Sequence, residues 1–235
     1  MTSKKKIAIA GATGFIGRWF IDTYKNQYDI VALSRKKTSF NEMMEWRMVD
    51  LFSISSSVEA LKGVDYALYL VHSMQPSTRL NQSNFEDTDL LLADNFSRAA
   101  AICNLEHIVY VGGILPKDNL NISKHLQSRY EVEQVLGSRK TPLTTIRAGI
   151  IIGPGGSSFK IIEKLVENLP IMACPKWTKS KNQPVDLRVA LKTIEEILGN
   201  PKYFNKPIEI GGEEVVTYMD VLKITAKEMK RKRWI

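Results

Sequence analysis

The sequence predicts an α/β protein in which a doubly wound parallel sheet is followed by a small α/β cap. Two observations lead to this class. Short apolar runs rich in β-branched residues alternate with stretches of helical periodicity as far as residue 147, and connections of that length join strands that run in parallel. A glycine-rich turn also links the first strand to the first helix, which places a tight turn at the edge of the sheet.

The elements of the sheet follow one another in a regular order. Apolar runs bounded by glycine or polar residues predict strands, and apolar residues recurring every three or four positions predict helices. The predicted strands are 7–10, 28–33, 47–51, 65–71, 107–111 and 143–147. The predicted helices are 15–28, 55–62, 85–104 and 123–136.

The regular alternation of predicted strands and helices ends at residue 152. The sequence there predicts helices at 158–168, 187–198 and 217–232, and a strand with a turn at 207–212. Prolines interrupt the polar stretch between the first two of these helices. We therefore predict a core domain of residues 1–152 and a C-terminal segment of residues 153–235 that packs on it.

Composition excludes several classes of protein. Of the 235 residues, 44% are apolar and 25% are charged, which excludes disorder, collagen and a disulfide scaffold. Cys103 and Cys174 lie in apolar surroundings, without metal-ligand or redox spacing, so we expect two reduced cysteines in a cytoplasmic protein. The sequence contains neither a secretory-signal pattern nor an apolar stretch long enough to span a membrane.

The net charge of +8 is concentrated at the two ends of the chain. Residues 4–6 contribute +3 and residues 223–235 contribute a net +5, so residues 7–222 are neutral. This body shows no basic stripe for nucleic acid, and we expect no nucleic-acid partner. The chain ends on Trp234 and Ile235 directly after a basic run, without a helix cap. We therefore expect a further C-terminal region in a longer protein.

The glycine-rich turn at 11–17 has the spacing of a dinucleotide-binding turn. Gly11 allows the tight bend, Gly14 lets the backbone approach a pyrophosphate, and Gly17 lets the helix pack close to the strand. The helix N-terminus then offers N–H groups to the phosphates. The predicted phosphate-binding residues are Gly11, Thr13, Gly14, Phe15, Ile16 and Gly17.

The end of the second strand favours NADP over NAD. An acidic residue at this position would bind the ribose hydroxyls of NAD, whereas this chain has Ser34, Arg35, Lys36 and Lys37. Arg35 can pair with a 2′-phosphate and Ser34 can donate to it. The alternative is a solvated loop with no ligand.

Three segments together resemble the short-chain dehydrogenase/reductase superfamily. They are the turn at 11–17, Asp50 with Leu51, and the segment 147–153. The match is to the extended and atypical branches, which include NmrA-like and epimerase-like proteins, and the segment 69–74, which ends at Met74, resembles a bacterial atypical subgroup. The resemblance implies a Rossmann fold and adds candidate cofactor contacts, namely Asp50, Leu51, Val71, His72, Ala148 and Gly149.

The resemblance also implies where a reaction centre would lie. The family has a Ser or Thr after the fifth strand and a Tyr-x-x-x-Lys pair on the next helix. Here Gly112 and Gly113 follow the strand, His125 takes the Tyr position and Arg129 takes the Lys position. His125 could exchange a proton near neutral pH, and Arg129 could bind ribose or phosphate; these are the candidate catalytic residues. His125 could equally be a helix-surface residue, and His72 could face the cofactor or cap its strand.

Beyond the sheet, the segment 153–184 is expected to supply the substrate pocket. Its candidate lining residues are Phe159, Met172, Trp177 and Gln183. Two functions remain open. The first is NADPH-dependent reduction of a small carbonyl or quinone-like compound, with the proton from His125 or an ordered water. The second is a non-catalytic, NmrA-like redox sensor or a regulatory or structural subunit.

Overall fold

The structure is a computed structural model that describes residues 4–36, 44–72, 85–116 and 122–234, without the side chains of residues 85, 86, 157 and 158. Lys37, Met74 and Ile235, which the sequence analysis used, lie outside the described residues.

The chain forms two compact units. The first comprises Met1–Arg147 and Thr193–Ile208, and the second comprises Ala148–Lys192 and Glu209–Ile235. Hydrogen bonds tie the returning segment into the first unit, including one from the amide of Leu143 to the Asn205 side chain, at 3.1 Å. This division differs from the predicted boundary between residues 152 and 153, and the packing of the C-terminal segment on the core stays a prediction.

The first unit has the predicted doubly wound sheet, which is a Rossmann fold. The seven strands lie in the order β10-β6-β5-β4-β1-β2-β3, and pairings from β3 through β5 are parallel. The strands are β1 (Lys6–Ala10), β2 (Asp29–Ser34), β3 (Glu45–Met48), β4 (Tyr66–Tyr69), β5 (His107–Gly113), β6 (Leu143–Ala148) and β10 (Lys206–Ile210). The helices of this unit are α1 (Phe15–Tyr24), α2 (Ile54–Leu61), α3 (Phe85–Ile102) and α4 (Lys124–Leu136). A further helix, α6 (Leu187–Ile197), begins in the second unit and ends in the first.

Alternation along the buried strands produces the core. Ala8 and Ala10 of β1 belong to one buried cluster with α2, α3 and α4, and Ile7 and Ile9, also buried, point to the opposite face. Strands buried on both faces read as continuous apolar runs. That is why the sequence located β1, β4 and β5 without an alternating pattern.

Some predicted boundaries are wrong, and local contacts explain why. β3 begins at Glu45, the residue that pairs with Val31 of β2. It ends before Asp50, whose carboxylate accepts a hydrogen bond of 3.2 Å from the amide of Phe52 in a turn. α7 (Tyr218–Glu228) ends four residues early, because Lys230 adopts a left-handed φ of 53°. β10, predicted in the C-terminal segment, joins the edge of the large sheet, where the missing N–H of a proline is tolerated.

The second unit is a small α/β assembly. Its strands are β7 (Ile151–Ile152), β8 (Lys181–Asn182), β9 (Val185–Asp186) and β11 (Val216–Thr217), and its helices include α5 (Ser157–Asn168) and α7. β7 pairs with β9 in parallel and β8 with β11 in antiparallel fashion. Two-residue strands are too short for a periodic signal, so the sequence analysis predicted none of these four strands. None of the helices in the described part of the chain has the length and hydropathy of a membrane span.

His107, the first residue of β5, is a fully buried structural histidine. Its Nδ1 accepts the amide of Gly199 at 3.1 Å, so its Nε2 carries the proton and donates to the Thr144 hydroxyl at 2.9 Å. That hydroxyl donates in turn to the carbonyl of Tyr203. A second ring proton would displace the amide of Gly199, and burial lowers the pKa of His107 to about 4.

Acidification is therefore expected to destabilise the protein through His107. The unfolded histidine has a pKa near 6.5, so it takes up a proton before the folded one does. The contribution is fully present above the unfolded value and is lost as the pH falls toward the folded value, by up to about 3 kcal/mol. Urea unfolding between pH 7 and pH 4 measures this loss. His107→Gln, which does not titrate, should show a flatter profile, and parallel profiles would contradict the assignment.

Candidate functional site

The predicted site begins at the carboxyl ends of the central strands of the first unit. β1 lies between β4 and β2, and the chain leaves β1 and β4 towards opposite sides of the sheet order. Ligands bind at such a switch point in doubly wound sheets. The turn after β1, the end of β2 and the residues after β4 are therefore brought together as the sequence predicted.

The glycine turn has no room for larger side chains. Gly11 has a φ of +93°, and an added Cβ would lie 3.0 Å from the carbonyl carbon of Leu70. A Cβ on Gly17 would lie 2.5 Å from the Gly11 carbonyl oxygen, and one on Gly14 would lie 3.1 Å from it. Gly14 is the N-cap of α1 and carries no side chain to occupy the helix end. This cradle has room for the pyrophosphate of a dinucleotide, for which the first-turn amides of Phe15 and Ile16 would be the donors.

The end of β2 presents cations to solvent. Arg35 and Lys36 are exposed, and Ser34 accepts the amide of Lys36 at 3.3 Å. The Arg35 guanidinium makes no ion pair with another described residue. Residues 34–36 thus form a short cationic edge without a carboxylate of their own.

Asp50 and Leu51 are held by contacts that the sequence did not predict. The Asp50 carboxylate anchors the turn before α2, and the carbonyl of Leu51 accepts the side-chain amide of Asn95 at 2.9 Å. Asn95 is buried on α3, and its hydrogen bond to the Leu51 carbonyl ties the turn at Asp50 to that helix.

The candidate reaction centre gathers two histidines and a buried carboxylate. His72 Nδ1 lies 3.3 Å from Asp89 Oδ2, and the His72 and His125 rings meet edge to face with centroids 4.8 Å apart. Asp89 is 5% exposed, whereas His125 is exposed. Partial desolvation of the imidazole lowers the pKa of His125, and the charges of Arg129 and His72 lower it further.

Arg129 is engaged with the end of β5. Its Nη1 donates to the carbonyl of Val111 at 3.2 Å, and its own carbonyl accepts the Tyr110 hydroxyl. Burial raises the pKa of Tyr110 to about 12, so this phenol is no substitute for the family's tyrosine. A Cβ on Gly113 would lie 2.6 Å from Leu126, so a hydroxyl-bearing residue does not fit there without movement.

The other predicted residues lie in the second unit or at its start. Ala148 is the buried last residue of β6. A Cβ added at Gly149 would clash with the Gln183 carbonyl oxygen, and the side-chain amide of Gln183 donates to the carbonyl of Gly212 at 3.1 Å. These contacts give Gly149 and Gln183 structural roles, and their cofactor and substrate roles stay predictions.

The aromatic and methionine candidates divide into packed and exposed residues. Phe159 and Met172 are partly buried against the small core of the second unit. Trp177 is 59% exposed and meets the Tyr218 ring at 5.7 Å. Its exposed ring fits a ligand contact better than the first two, and all three assignments remain predictions.

Comparison with known proteins decides the family. Residues 7–128 match the family model described as the NAD dependent epimerase/dehydratase family. The chain belongs to this family. It is 32% identical over 148 residues to the auxiliary protein GraX of Staphylococcus aureus (strain NCTC 8325 / PS 47), a match that covers 60% of this chain and 43% of the relative. The chain thus spans less than half the length of this curated relative.

Solved structures show the same fold as this epimerase/dehydratase-family chain. The UDP-N-acetylglucosamine 4-epimerase of Bacillus cereus has a TM-score of 0.74 at 18% identity, covering 97% of this chain and 83% of that one. The enzyme WbmG of Bordetella bronchiseptica, in complex with NAD, has a TM-score of 0.78 at 12% identity, covering 99% and 81%. A nucleoside-diphosphate-sugar epimerase of S. aureus has a TM-score of 0.77 at 16% identity, covering 97% and 78%.

Membership confirms the resemblance seen in the sequence. The epimerase/dehydratase-family chain is a nicotinamide-dinucleotide-binding protein of the short-chain dehydrogenase/reductase type. Its departures from the family pattern are those at Gly113, His125 and Arg129 described above.

Sequence reasoning missed Asp89 and Asn95 in this epimerase/dehydratase-family chain. Both are buried polar residues on α3. Asp89 shares the helical face of the buried Leu92, Ala93 and Phe96. A carboxylate on an otherwise apolar helix face was the available signal, because a buried charge needs a partner.

Proposed function

We propose that this protein binds NADP in preference to NAD and acts by binding it, as an auxiliary or regulatory protein, without transferring hydride. The observation that carries the proposal is the replacement of the family's proton-transfer residues. His125 and Arg129 occupy the Tyr and Lys positions, and the arginine is bonded to the carbonyl of Val111.

The chemistry of these two side chains argues against carbonyl reduction. A bound nicotinamide would supply the hydride, and the protein would have to deliver a proton to the new alkoxide. A His125 with a lowered pKa is mostly neutral at pH 7 and thus a weak proton donor. Arginine stays protonated and exchanges no proton near neutral pH.

The preference for NADP rests on the cationic edge at the end of β2. Arg35 can reach a 2′-phosphate with two parallel N–H groups, and Ser34 can donate a third hydrogen bond. Residues 34–36 carry no carboxylate to bind the ribose hydroxyls of NAD. The glycine cradle binds the pyrophosphate of either dinucleotide.

The identity to GraX supports a role other than turnover. That relative is described as an auxiliary protein, and the match covers more than half of this chain. We propose further that the protein is cytoplasmic and has no nucleic-acid partner, because Cys103 and Cys174 are both free thiols and the chain between its two ends is neutral.

One observation favours a second candidate function, reduction of a small carbonyl or quinone-like compound. The Asp89–His72 contact would hold the His72 ring in one tautomer and orient it, as a carboxylate does for a catalytic histidine. His72 in turn contacts His125. One of these two imidazoles would supply the proton that accompanies the hydride from NADPH to a carbonyl group.

A binding titration followed by a turnover assay distinguishes the two functions. NADPH and NADH are titrated by their fluorescence, and NADPH absorbance is then followed with a panel of aldehydes and quinones. We expect NADPH to bind without being consumed. Turnover that disappears in His125→Ala or His72→Ala, with NADPH binding intact, would replace our proposal with the second candidate.

Arg35→Asp is expected to reverse the cofactor preference. It removes the charge-assisted bonds to the 2′-phosphate and should weaken NADPH binding by about 10- to 100-fold, with little loss for NADH. Lys25→Asp makes the same change in charge at the C-terminal end of α1, away from the glycine turn at its N-terminal end, and serves as the control. An unchanged NADPH-to-NADH ratio in Arg35→Asp would refute the NADP assignment.

A further inference from the structure

A basic groove lies on the second unit, along α7 and the chain that follows it. Lys223 and Lys227 are exposed one turn apart on α7. The left-handed turn at Lys230, closed by the Arg231 amide on the Ala226 carbonyl at 2.8 Å, brings the following residues back beside the helix. The groove has a volume of about 450 Å³, and its described lining holds cations and no carboxylate. The lining residues are Lys223, Ala226, Lys227, Arg231, Lys232, Arg233 and Trp234.

Two large apolar side chains stand at the edge of this groove. Trp234 is 79% exposed and Ile171 is 73% exposed. Their backbones form a parallel bridge, with the Trp234 amide on the Pro170 carbonyl at 3.1 Å and the Met172 amide on the Trp234 carbonyl at 2.9 Å. Bridge partners point to the same face, so the pair is presented side by side on a fixed backbone.

Arg233 fixes this segment in place. Its Nε donates to the Val166 carbonyl at 2.5 Å and its Nη2 to the Glu167 carbonyl at 3.0 Å, which satisfies unpaired carbonyls at the C-terminal end of α5. Arg233 therefore has a structural role. The exposed cations beside the apolar pair are Lys223, Lys227, Arg231 and Lys232.

We propose that these four cations, with Trp234 and Ile171, form a surface that docks on a lipid bilayer containing anionic headgroups. We call it the basic surface. Its cations are complementary to a negatively charged membrane face. Tryptophan beside aliphatic residues and lysines is the combination that enters the headgroup region.

The composition of the basic surface favours a bilayer over an acidic protein. Three of its four cations are lysines, which are depleted at protein interfaces, where arginine is enriched. Arginine forms bidentate pairs with carboxylates and phosphates alike, whereas a lysine acts on a headgroup as a point charge that needs no fixed geometry. The apolar pair would need a matching pocket in a protein partner, and a bilayer needs none.

Vesicle co-sedimentation of the 235-residue chain tests the proposal. Vesicles of phosphatidylcholine alone are compared with vesicles containing about 30% phosphatidylglycerol. We expect binding to the anionic vesicles only. Lys223→Gln with Lys227→Gln should weaken that binding about 30-fold, and Trp234→Ala should weaken it about 10-fold.

Matched variants on the first unit serve as controls. Lys4→Gln with Lys25→Gln removes the same charge, and Met48→Ala removes an apolar side chain that is 73% exposed; both should bind like the parent chain. If Lys4→Gln with Lys25→Gln weakened vesicle binding as much as Lys223→Gln with Lys227→Gln, net charge alone would explain the binding and the proposed site would be refuted. Unchanged vesicle binding by Trp234→Ala would also overturn the proposal. So would binding of the chain to polyglutamate without binding to anionic vesicles.

Discussion

Gly17→Ala is expected to abolish dinucleotide binding, with a loss of at least about 100-fold. The new Cβ would lie 2.5 Å from the Gly11 carbonyl oxygen and 2.9 Å from the Ala12 Cα. Both are backbone atoms, which cannot rotate away, so α1 must shift relative to the turn. That shift misplaces the N–H groups that bind the pyrophosphate. We expect a loss of stability of about 1–3 kcal/mol from overpacking. NADPH fluorescence titration and urea unfolding measure the two effects.

Two further glycines separate loss of binding from loss of fold. Gly63→Ala introduces a side chain at a φ of +69° with nothing within 4 Å, so it should cost about 1–2 kcal/mol of stability and leave NADPH binding unchanged. Gly14→Ala is milder than Gly17→Ala, since its Cβ lies 3.1 Å from the Gly11 carbonyl oxygen, and we expect it to stay folded while binding weakly. Normal NADPH affinity in a folded Gly17→Ala or Gly14→Ala would show that the turn is not the pyrophosphate site.

Glu133→Ala is expected to destabilise the first unit by about 3–5 kcal/mol. The Glu133 carboxylate on α4 makes two bonds to the Arg147 guanidinium on β6, at 2.7 and 3.1 Å. Their side chains are only 11% and 15% exposed. Removing the glutamate leaves a guanidinium charge in a poorly hydrated place. Denaturant unfolding of the variant against the parent measures the cost.

Two variants check that burial is the cause. In Glu133→Gln with Arg147→Met no charge remains, so much of the lost stability should return. Arg139→Ala breaks an ion pair with Asp94 whose partners are 40% and 30% exposed, and it should cost less than about 1 kcal/mol. The burial argument would fail if Glu133→Ala cost no more than Arg139→Ala.

The sequence predicted those parts of the fold that depend only on residue types and spacing within one segment of the chain. A doubly buried strand such as β1 is a continuous apolar run. The turn at Gly11 needs a residue that tolerates a φ of +93°, so glycine spacing identifies it without any tertiary contact. The family resemblance, aligned by the distance to Arg147, gave His125 and Arg129 the Tyr and Lys positions, and both residues lie on α4.

The errors fall where distant residues decide the outcome. The start of β3 depends on its pairing with β2, and the end of α7 depends on an αL residue that is not glycine. Asp89 was missed because its partner His72 lies seventeen positions away in sequence. Arg147 was recognised as part of a family motif, and only the structure showed that it pairs with Glu133.

By itself the sequence determined the doubly wound sheet, the glycine cradle and the loss of the family's Tyr-x-x-x-Lys pair, since each depends on residue type and spacing along the chain. Only the tertiary structure decided the Asp89–His72–His125 contacts, the engagement of Arg129 with Val111 and the pairing of Trp234 with Ile171. Those contacts join side chains and backbones from separate elements. Their geometry is set by how the elements pack, which spacing along one element does not encode.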